Sequence, residues 1–167
     1  MREITLKFAI QNYLDNIVST KNFSPHTARS YTRNLNQFSE FIVSYTQIPD
    51  TLLSQIDKLA VRHFFGYFIE KGNRHRTIAQ KLSSLRSFFS FVRQNGWIDR
   101  NPFSEIENPK LEKKLPKFLS KSQMERLFRQ RVSTDDFLHL RDMAMLELLY
   151  STGIRVSEVA GLSVDLV

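Results

Sequence analysis

The segment from Thr152 to Glu158, in the last part of the 167-residue chain, holds the residues best suited to chemistry. Gly153 permits a sharp turn, and Arg155 follows it where a short helix is expected to begin. An arginine there could bind two oxygens of one phosphate and so stabilise phosphoryl transfer, with Glu158 orienting the guanidinium. The alternative is an ordinary surface ion pair worth about 0.2–0.5 kcal/mol. On the glycine–arginine pair alone, the surface ion pair is the favoured interpretation.

The net charge of +7 favours a polyanionic partner. The basic excess lies between residues 51 and 131, whereas residues 132–167 are acidic overall. Nucleic acid is the first candidate and an anionic membrane surface the second, while a solvated basic surface is the alternative. No apolar run is long enough for a membrane span. The sequence has no cysteine and no histidine at metal-ligand spacing, so we expect a cytoplasmic protein without metal or cofactor.

Apolar residues recur at helical spacing through most of the sequence, which predicts a mainly α fold. Residues 1–97 are expected to form four amphipathic helices, with Ser24 and Asp57 as N-caps and Gly72 and Gly96 as ends. The predicted core stripes include Tyr45 on the second helix and Ile69 on the third. The fourth helix, from about Arg74 to Asn95, has the stripe Ile78, Leu82, Leu85, Phe88, Phe89 and Val92.

Residues 98–119 contain three of the five prolines and are predicted to be an interdomain linker. Fully extended, such a segment could reach about 65 Å. A second domain, residues 120–167, is expected to open with a capping box formed by Ser120 and Gln123. A strongly apolar helix, the break at Gly153, a short helix and the beginning of a strand at 162–167 should follow.

The side of the fourth helix opposite its apolar stripe carries small polar side chains and no carboxylate, which suits a helix in the major groove of DNA. A serine-rich solvent face is the alternative. The second helix begins with polar residues where backbone N–H groups favour phosphate, although a capped surface turn explains them nearly as well. Linker lysines would add phosphate attraction. The candidate DNA-binding residues are Thr27, Arg33, Arg74, Arg76, Gln80, Ser83, Arg86, Ser87 and Lys117.

The stretch Thr152-Gly153-Ile154-Arg155-Val156-Ser157-Glu158-Val159, followed by Gly161-Leu162, resembles the first conserved box of the tyrosine recombinases, the phage integrase family. It is especially similar to the Xer branch. Residues 24–31 resemble the second helix of that family and residues 77–89 its fourth. Asn101-Pro102 and Leu115-Pro116 resemble its linker.

The resemblance implies a four-helix, SAM-like core-binding domain followed by a truncated, mostly helical start of an α+β catalytic domain. In this family the two domains clamp duplex DNA, and four protomers assemble on two DNA sites, in some cases with a partner recombinase. A tyrosine attacks the scissile phosphate and forms a 3′-phosphotyrosyl link without metal or nucleotide. Arg155 matches the first catalytic arginine and Glu158 a nearby acidic position that supports it.

The catalytic lysine, the His-x-x-Arg box, the later His or Trp and the nucleophilic tyrosine of the family match no residue of this sequence. We therefore expect a chain that binds DNA without cleaving it, from a site-specific recombinase that resolves chromosome dimers. An integrase or transposase of a mobile element is the nearest alternative. A non-catalytic DNA-binding regulator is another, and a helical protein-interaction module would have no DNA affinity at all.

Overall fold

The computed structural model describes residues 3–19, 23–110, 115, 118–129 and 137–163. Within these ranges it has seven α-helices and a 3-10 turn, Leu53–Gln55, but no strand beyond one isolated antiparallel bridge. The mainly α fold class predicted from the sequence is confirmed. The helices are α1 (Leu6–Ser19), α2 (Pro25–Thr46), α3 (Lys58–Glu70), α4 (His75–Gln94), α5 (Lys121–Phe128), α6 (Phe137–Thr152) and α7 (Val156–Val159).

The helix boundaries follow local chemistry. Ser24 caps α2 and Asp57 caps α3, each through a side-chain oxygen that accepts a backbone N–H of the first turn, at 3.2 and 2.8 Å. These bonds satisfy donors that the helix itself leaves unpaired. Gly72 and Gly96 follow the ends of α3 and α4 with φ of +71° and +68°, a conformation that glycine adopts without steric cost.

The chain divides into two compact units, residues 1–113 and 114–167. In the first unit, the four long helices bury one apolar core, and all six stripe residues predicted for α4 are buried. Two core predictions are wrong: Tyr45 is 43% exposed and Ile69 is 60% exposed. Both lie in the last turn of their helices, where the apolar stripe runs beyond the packed surface.

The core also includes Phe103, which belongs to the segment predicted as linker. Its ring is fully buried and lies 4.9 Å from the ring centroid of Phe89, 5.6 Å from that of Phe38 and 6.1 Å from that of Phe65. The side-chain oxygen Oδ1 of Asn101 accepts a hydrogen bond from the Phe103 backbone N–H at 2.9 Å. The first part of the predicted linker therefore packs against the helical unit.

The second unit contains α5, α6 and α7, and none of its described residues is buried. The predicted capping box is present: Ser120 Oγ accepts the Gln123 N–H at 3.3 Å, and Gln123 Oε1 accepts the Ser120 N–H at 2.8 Å. The apolar side chains of α6 are distributed around the whole helix and not along one face, a pattern typical of a helix that packs on more than one side. Most of the strand predicted at residues 162–167 lies outside the described residues.

Candidate nucleic-acid interface and phosphate-binding arginine

Helices α2 and α4 meet along a row of polar contacts, which we call the α2–α4 seam. Gln80 Nε2 donates to Ser30 Oγ at 2.9 Å, and Asn34 Nδ2 donates to Ser84 Oγ at 3.1 Å. From the first contact to the second, α2 advances by four residues (Ser30 to Asn34) and α4 also advances by four (Gln80 to Ser84). Their first turns, with partly positive backbone ends, therefore lie at the same end of the seam.

A buried lysine completes the seam. Lys81 is only 5% exposed, and its Nζ donates to Gln37 Oε1 and lies 4.3 Å from the ring centroid of Phe68. Burial lowers the pKa of Lys81, and the nearby positive charge of Arg33 lowers it further. Arg33 itself is exposed. Positive charge is thus concentrated where α2 and α4 pack together.

Most predicted DNA-binding residues lie on exposed parts of these two helices. On α4, Arg76, Gln80 and Ser83 are exposed, as is Arg74 at the N-cap. On α2, Thr27 is half-buried, and its hydroxyl shares a 2.9 Å hydrogen bond with the capping Ser24. The structure therefore brings these side chains onto a surface that includes the outer face of α4 and the first turns of α2.

Ser87 has an internal partner instead. Its Oγ accepts a 2.7 Å hydrogen bond from the hydroxyl of Tyr13, and it is only half-exposed because it borders the apolar stripe of α4. Burial raises the pKa of Tyr13 to about 12, although the hydrogen bond with Ser87 acts in the opposite direction. The serine thus satisfies the polar end of a fully buried ring.

Arg86 is turned towards residues 103–108. Its Nε donates to the Phe103 carbonyl at 3.3 Å, its Nη1 to Asn108 Oδ1 at 2.8 Å, and its Nη2 to the Ile106 carbonyl. Sequence patterns could not reveal these contacts, since two of the acceptors are backbone carbonyls in an aperiodic segment. Lys117, the remaining predicted DNA contact, lies outside the described residues.

Arg155 is open to solvent at the start of α7. Its side chain is 81% exposed, and Nη1 donates to Glu158 Oε1 at 3.0 Å. The other carboxylate oxygen, Oε2, accepts the Arg155 backbone N–H at 2.8 Å. This backbone bond and then the guanidinium lower the pKa of Glu158. Glu158 therefore holds Arg155 at two points, and the guanidinium retains N–H donors with which it could bind a phosphate.

The turn before Arg155 depends on Gly153, whose φ is +67°. The Gly153 N–H donates to the Leu149 carbonyl at 3.0 Å, and Thr152 Oγ1 accepts the Ile154 N–H at 3.2 Å. These bonds end α6 and direct the backbone to the first residue of α7. A side chain at position 153 would strain this conformation even though space is available.

No helix in the described part of the chain is long and apolar enough to cross a membrane. The same residues contain no group of three or more acidic, histidine or cysteine side chains that could hold a metal ion.

Curated relatives of this chain are recombinases. Tyrosine recombinase XerC of Chlorobaculum tepidum is 38% identical over 93% of this chain and 52% of its own length. XerC of Listeria innocua and XerD of Shewanella oneidensis are also 38% identical, over 91% and 93% of this chain and 50% of their own lengths. The chain thus spans about half the length of the curated relatives it matches.

Solved structures show the same fold. The Tn1549 transposon integrase in complex with circular intermediate DNA aligns with 97% of this chain and 50% of its own, at a TM-score of 0.64 and 22% identity. A λ integrase dimer bound to a COC′ core site aligns with 75% of this chain and 33% of its own, at a TM-score of 0.57 and 17% identity. Residues 10–96, just over half of the chain, match the family described as phage integrase, N-terminal SAM-like domain. The chain therefore belongs to the phage integrase, or tyrosine recombinase, family, as its Gly-Ile-Arg box and helical pattern had indicated.

Proposed function

We propose that this chain is the DNA-binding first half of a site-specific tyrosine recombinase of the Xer type. The observation that carries the proposal is the α2–α4 surface, which is basic, presents short polar side chains and has no carboxylate on α4. Chromosome dimer resolution, which the resemblance to the Xer branch implies, is the process we propose, and the cytoplasm is the proposed location. A tetramer on two DNA sites, with a partner recombinase, is part of the same proposal.

In this proposal the exposed face of α4 enters the major groove. Gln80 and Ser83 reach base edges, while Arg33, Arg74 and Arg76 bind backbone phosphates. The hydrogen bond to Ser30 orients the Gln80 amide and still leaves its Oε1 and a second N–H for a base. The first turns of α2 and α4 add partly positive backbone groups on the same side of the seam.

Arg155 supplies charge to the scissile phosphate. It is exposed, held by both oxygens of Glu158 and placed by the turn at Gly153, so its orientation is fixed before DNA arrives. The nucleophile that forms the 3′-phosphotyrosyl link would come from the part of the relatives that has no match in this chain. This chain by itself would therefore bind duplex DNA without cleaving it.

The DNA-binding surface can be tested by measuring duplex affinity as a function of salt. Replacing Arg33 and Arg76 by glutamine should reduce the slope of log K against log salt by about 2, since each lost phosphate contact contributes about 0.9. The control is the double change Lys7→Gln and Arg62→Gln, which removes the same charge from exposed positions on α1 and α3. An unchanged slope in the first variant, or an equal reduction in the control, would contradict the proposed surface.

The role of Arg155 can be tested in a full-length recombinase that carries this chain as its first half. Arg155→Ala should lower the rate of phosphotyrosyl formation on the order of 10³-fold while leaving duplex affinity intact. Arg141→Ala is the matched control because Arg141 is also exposed and also pairs with one carboxylate, that of Asp142 at 2.7 Å. Normal covalent complex with Arg155→Ala would show that this arginine is only structural.

An integrase of a mobile element is the second candidate function, favoured by the fold similarity to the Tn1549 transposon integrase over 97% of the chain. Footprinting on genomic DNA distinguishes chromosome dimer resolution from integration of a mobile element. Protection of one chromosomal site supports dimer resolution, whereas protection of the ends of a mobile element supports integration. If the full-length protein binds such a site and forms no covalent complex, the chain is part of a non-catalytic regulator.

A further inference from the structure

Residues 101–110, which we call the linker root, are attached to the helical unit along their length. Phe103 is buried in the core, and Asn101 is 9% exposed. Lys58 Nζ forms an ion pair with Glu105 at 2.5 Å, and His75 Nδ1 is hydrogen-bonded to the Lys110 carbonyl at 3.2 Å. Because His75 is the first residue of α4, the linker root ends beside the first turn of that helix.

Arg86 on α4 makes three side-chain hydrogen bonds to the linker root. One guanidinium donates to three acceptors that lie 17 to 22 residues further along the chain: the carbonyls of Phe103 and Ile106 and the side chain of Asn108. The planar guanidinium can bind three such acceptors because its N–H groups point in fixed, divergent directions. A lysine ammonium at the same place is a point charge without that geometry.

The position of the linker root matters because few residues separate it from α5, the first helix of the second unit. Between Lys110 and Ser120 only nine residues are available, and nine residues cannot span more than about 30 Å. At the same rise per residue, that is less than half of the reach that the whole 22-residue segment 98–119 would have if it were unattached. The attachment of residues 101–110 therefore removes ten of the 22 residues from the free length of the predicted linker.

We infer that Arg86 is a positioning residue that fixes the linker root against α4 and does not contact DNA. It sets the departure point of the remaining linker beside the first turn of α4, at the end of the helix that carries Arg74 and Arg76. This role stands on the intramolecular contacts and does not require the proposed function. If the chain does bind duplex DNA, the role predicts that Arg86 makes no contribution to duplex affinity.

The test uses spin labels, since the chain has no native cysteine. Glu70→Cys and Glu107→Cys place labels at two exposed positions, one at the end of α3 and one on the linker root. We expect a single narrow label-to-label distance in the parent chain and a broad distribution with Arg86→Lys. Arg93→Lys, the same change on an exposed residue of α4, is the control and should keep the narrow distance. Asn108→Ala, which removes one acceptor, should broaden it to a smaller extent.

The affinity of Arg86 variants for duplex DNA distinguishes a positioning role of this residue from a phosphate contact. Both Arg86→Lys and Arg86→Met should bind duplex within about twofold of the parent, with the same salt dependence, because no phosphate contact is lost. A narrow distance with Arg86→Lys would overturn the inference. So would an affinity that falls with Arg86→Met but survives with Arg86→Lys, which is the behaviour of a phosphate contact. If the parent chain binds no duplex, the proposed function fails. The label-to-label distances would still test whether Arg86 positions the linker root.

Discussion

Phe103→Ala should destabilise the helical unit by about 3–5 kcal/mol, the usual cost of removing a buried phenylalanine ring. The ring is fully buried and contacts three other phenylalanine rings of the core, whose pairwise contributions of about 0.5–1.5 kcal/mol each form part of that cost. If residues 98–119 were an unattached linker, the same change would cost nothing. The substitution therefore tests whether the linker root belongs to the folded unit.

Urea unfolding followed by the fluorescence of Trp97 is a suitable assay. This tryptophan is the only one in the sequence, and its ring contacts Phe8 and Phe91 in the helical unit. With a slope of about 2 kcal/mol per molar urea, the midpoint should fall by about 2 M. Phe118→Ala, at a ring that is 86% exposed, is the control and should change stability by less than about 0.5 kcal/mol. A loss below about 1 kcal/mol for Phe103→Ala would refute the packing of this ring in the core.

Two further predictions concern ionisable groups in the core. Burial raises the pKa of Tyr13 from 10.0 to about 12. Between these two pH values the hydroxyl stays protonated in the folded state but ionises in the unfolded state, so the free energy of unfolding should fall as the pH rises from about 10 to 12. Tyr13→Phe should remove this decline in urea unfolding, and Tyr67→Phe, at an exposed ring, is the control; an unaltered decline would contradict the assignment. Lys81→Met should leave the free energy of unfolding unchanged or raise it by about 1 kcal/mol, since it replaces a buried cation that has no carboxylate partner among its described contacts. A loss of more than about 1 kcal/mol in the same assay would show that the cation is stabilising.

The features that the sequence predicted correctly are those set by neighbours along the chain. The Ser24 and Asp57 caps, the capping box at Ser120 and the apolar stripe of α4 depend on residues within one or two turns, so spacing alone reveals them. The family could also be recognised, because the Gly-Ile-Arg box combines a required backbone turn with a specific side chain. The proposed roles of Arg155 and of the α4 face remain predictions.

Contacts between distant parts of the chain could not be predicted in this way. Phe103 enters the core from a proline-containing stretch without periodicity, and Arg86 binds carbonyls that no residue type signals. Ser87 lies at the edge of a stripe, where helical spacing cannot tell a solvent-facing hydroxyl from the partner of Tyr13. Each of these depends on how helices pack, which single-helix patterns do not specify.

The DNA-binding surface can be mapped directly by identifying the backbone amides of the isotope-labelled chain whose NMR signals shift when duplex DNA is added. We expect the shifts to cluster in the first turns of α2 and along the exposed face of α4, at Thr27, Arg76, Gln80 and Ser83. Shifts confined to the α2–α3 face around Tyr45, or no shifts at a salt concentration that permits phosphate binding, would contradict the proposed surface.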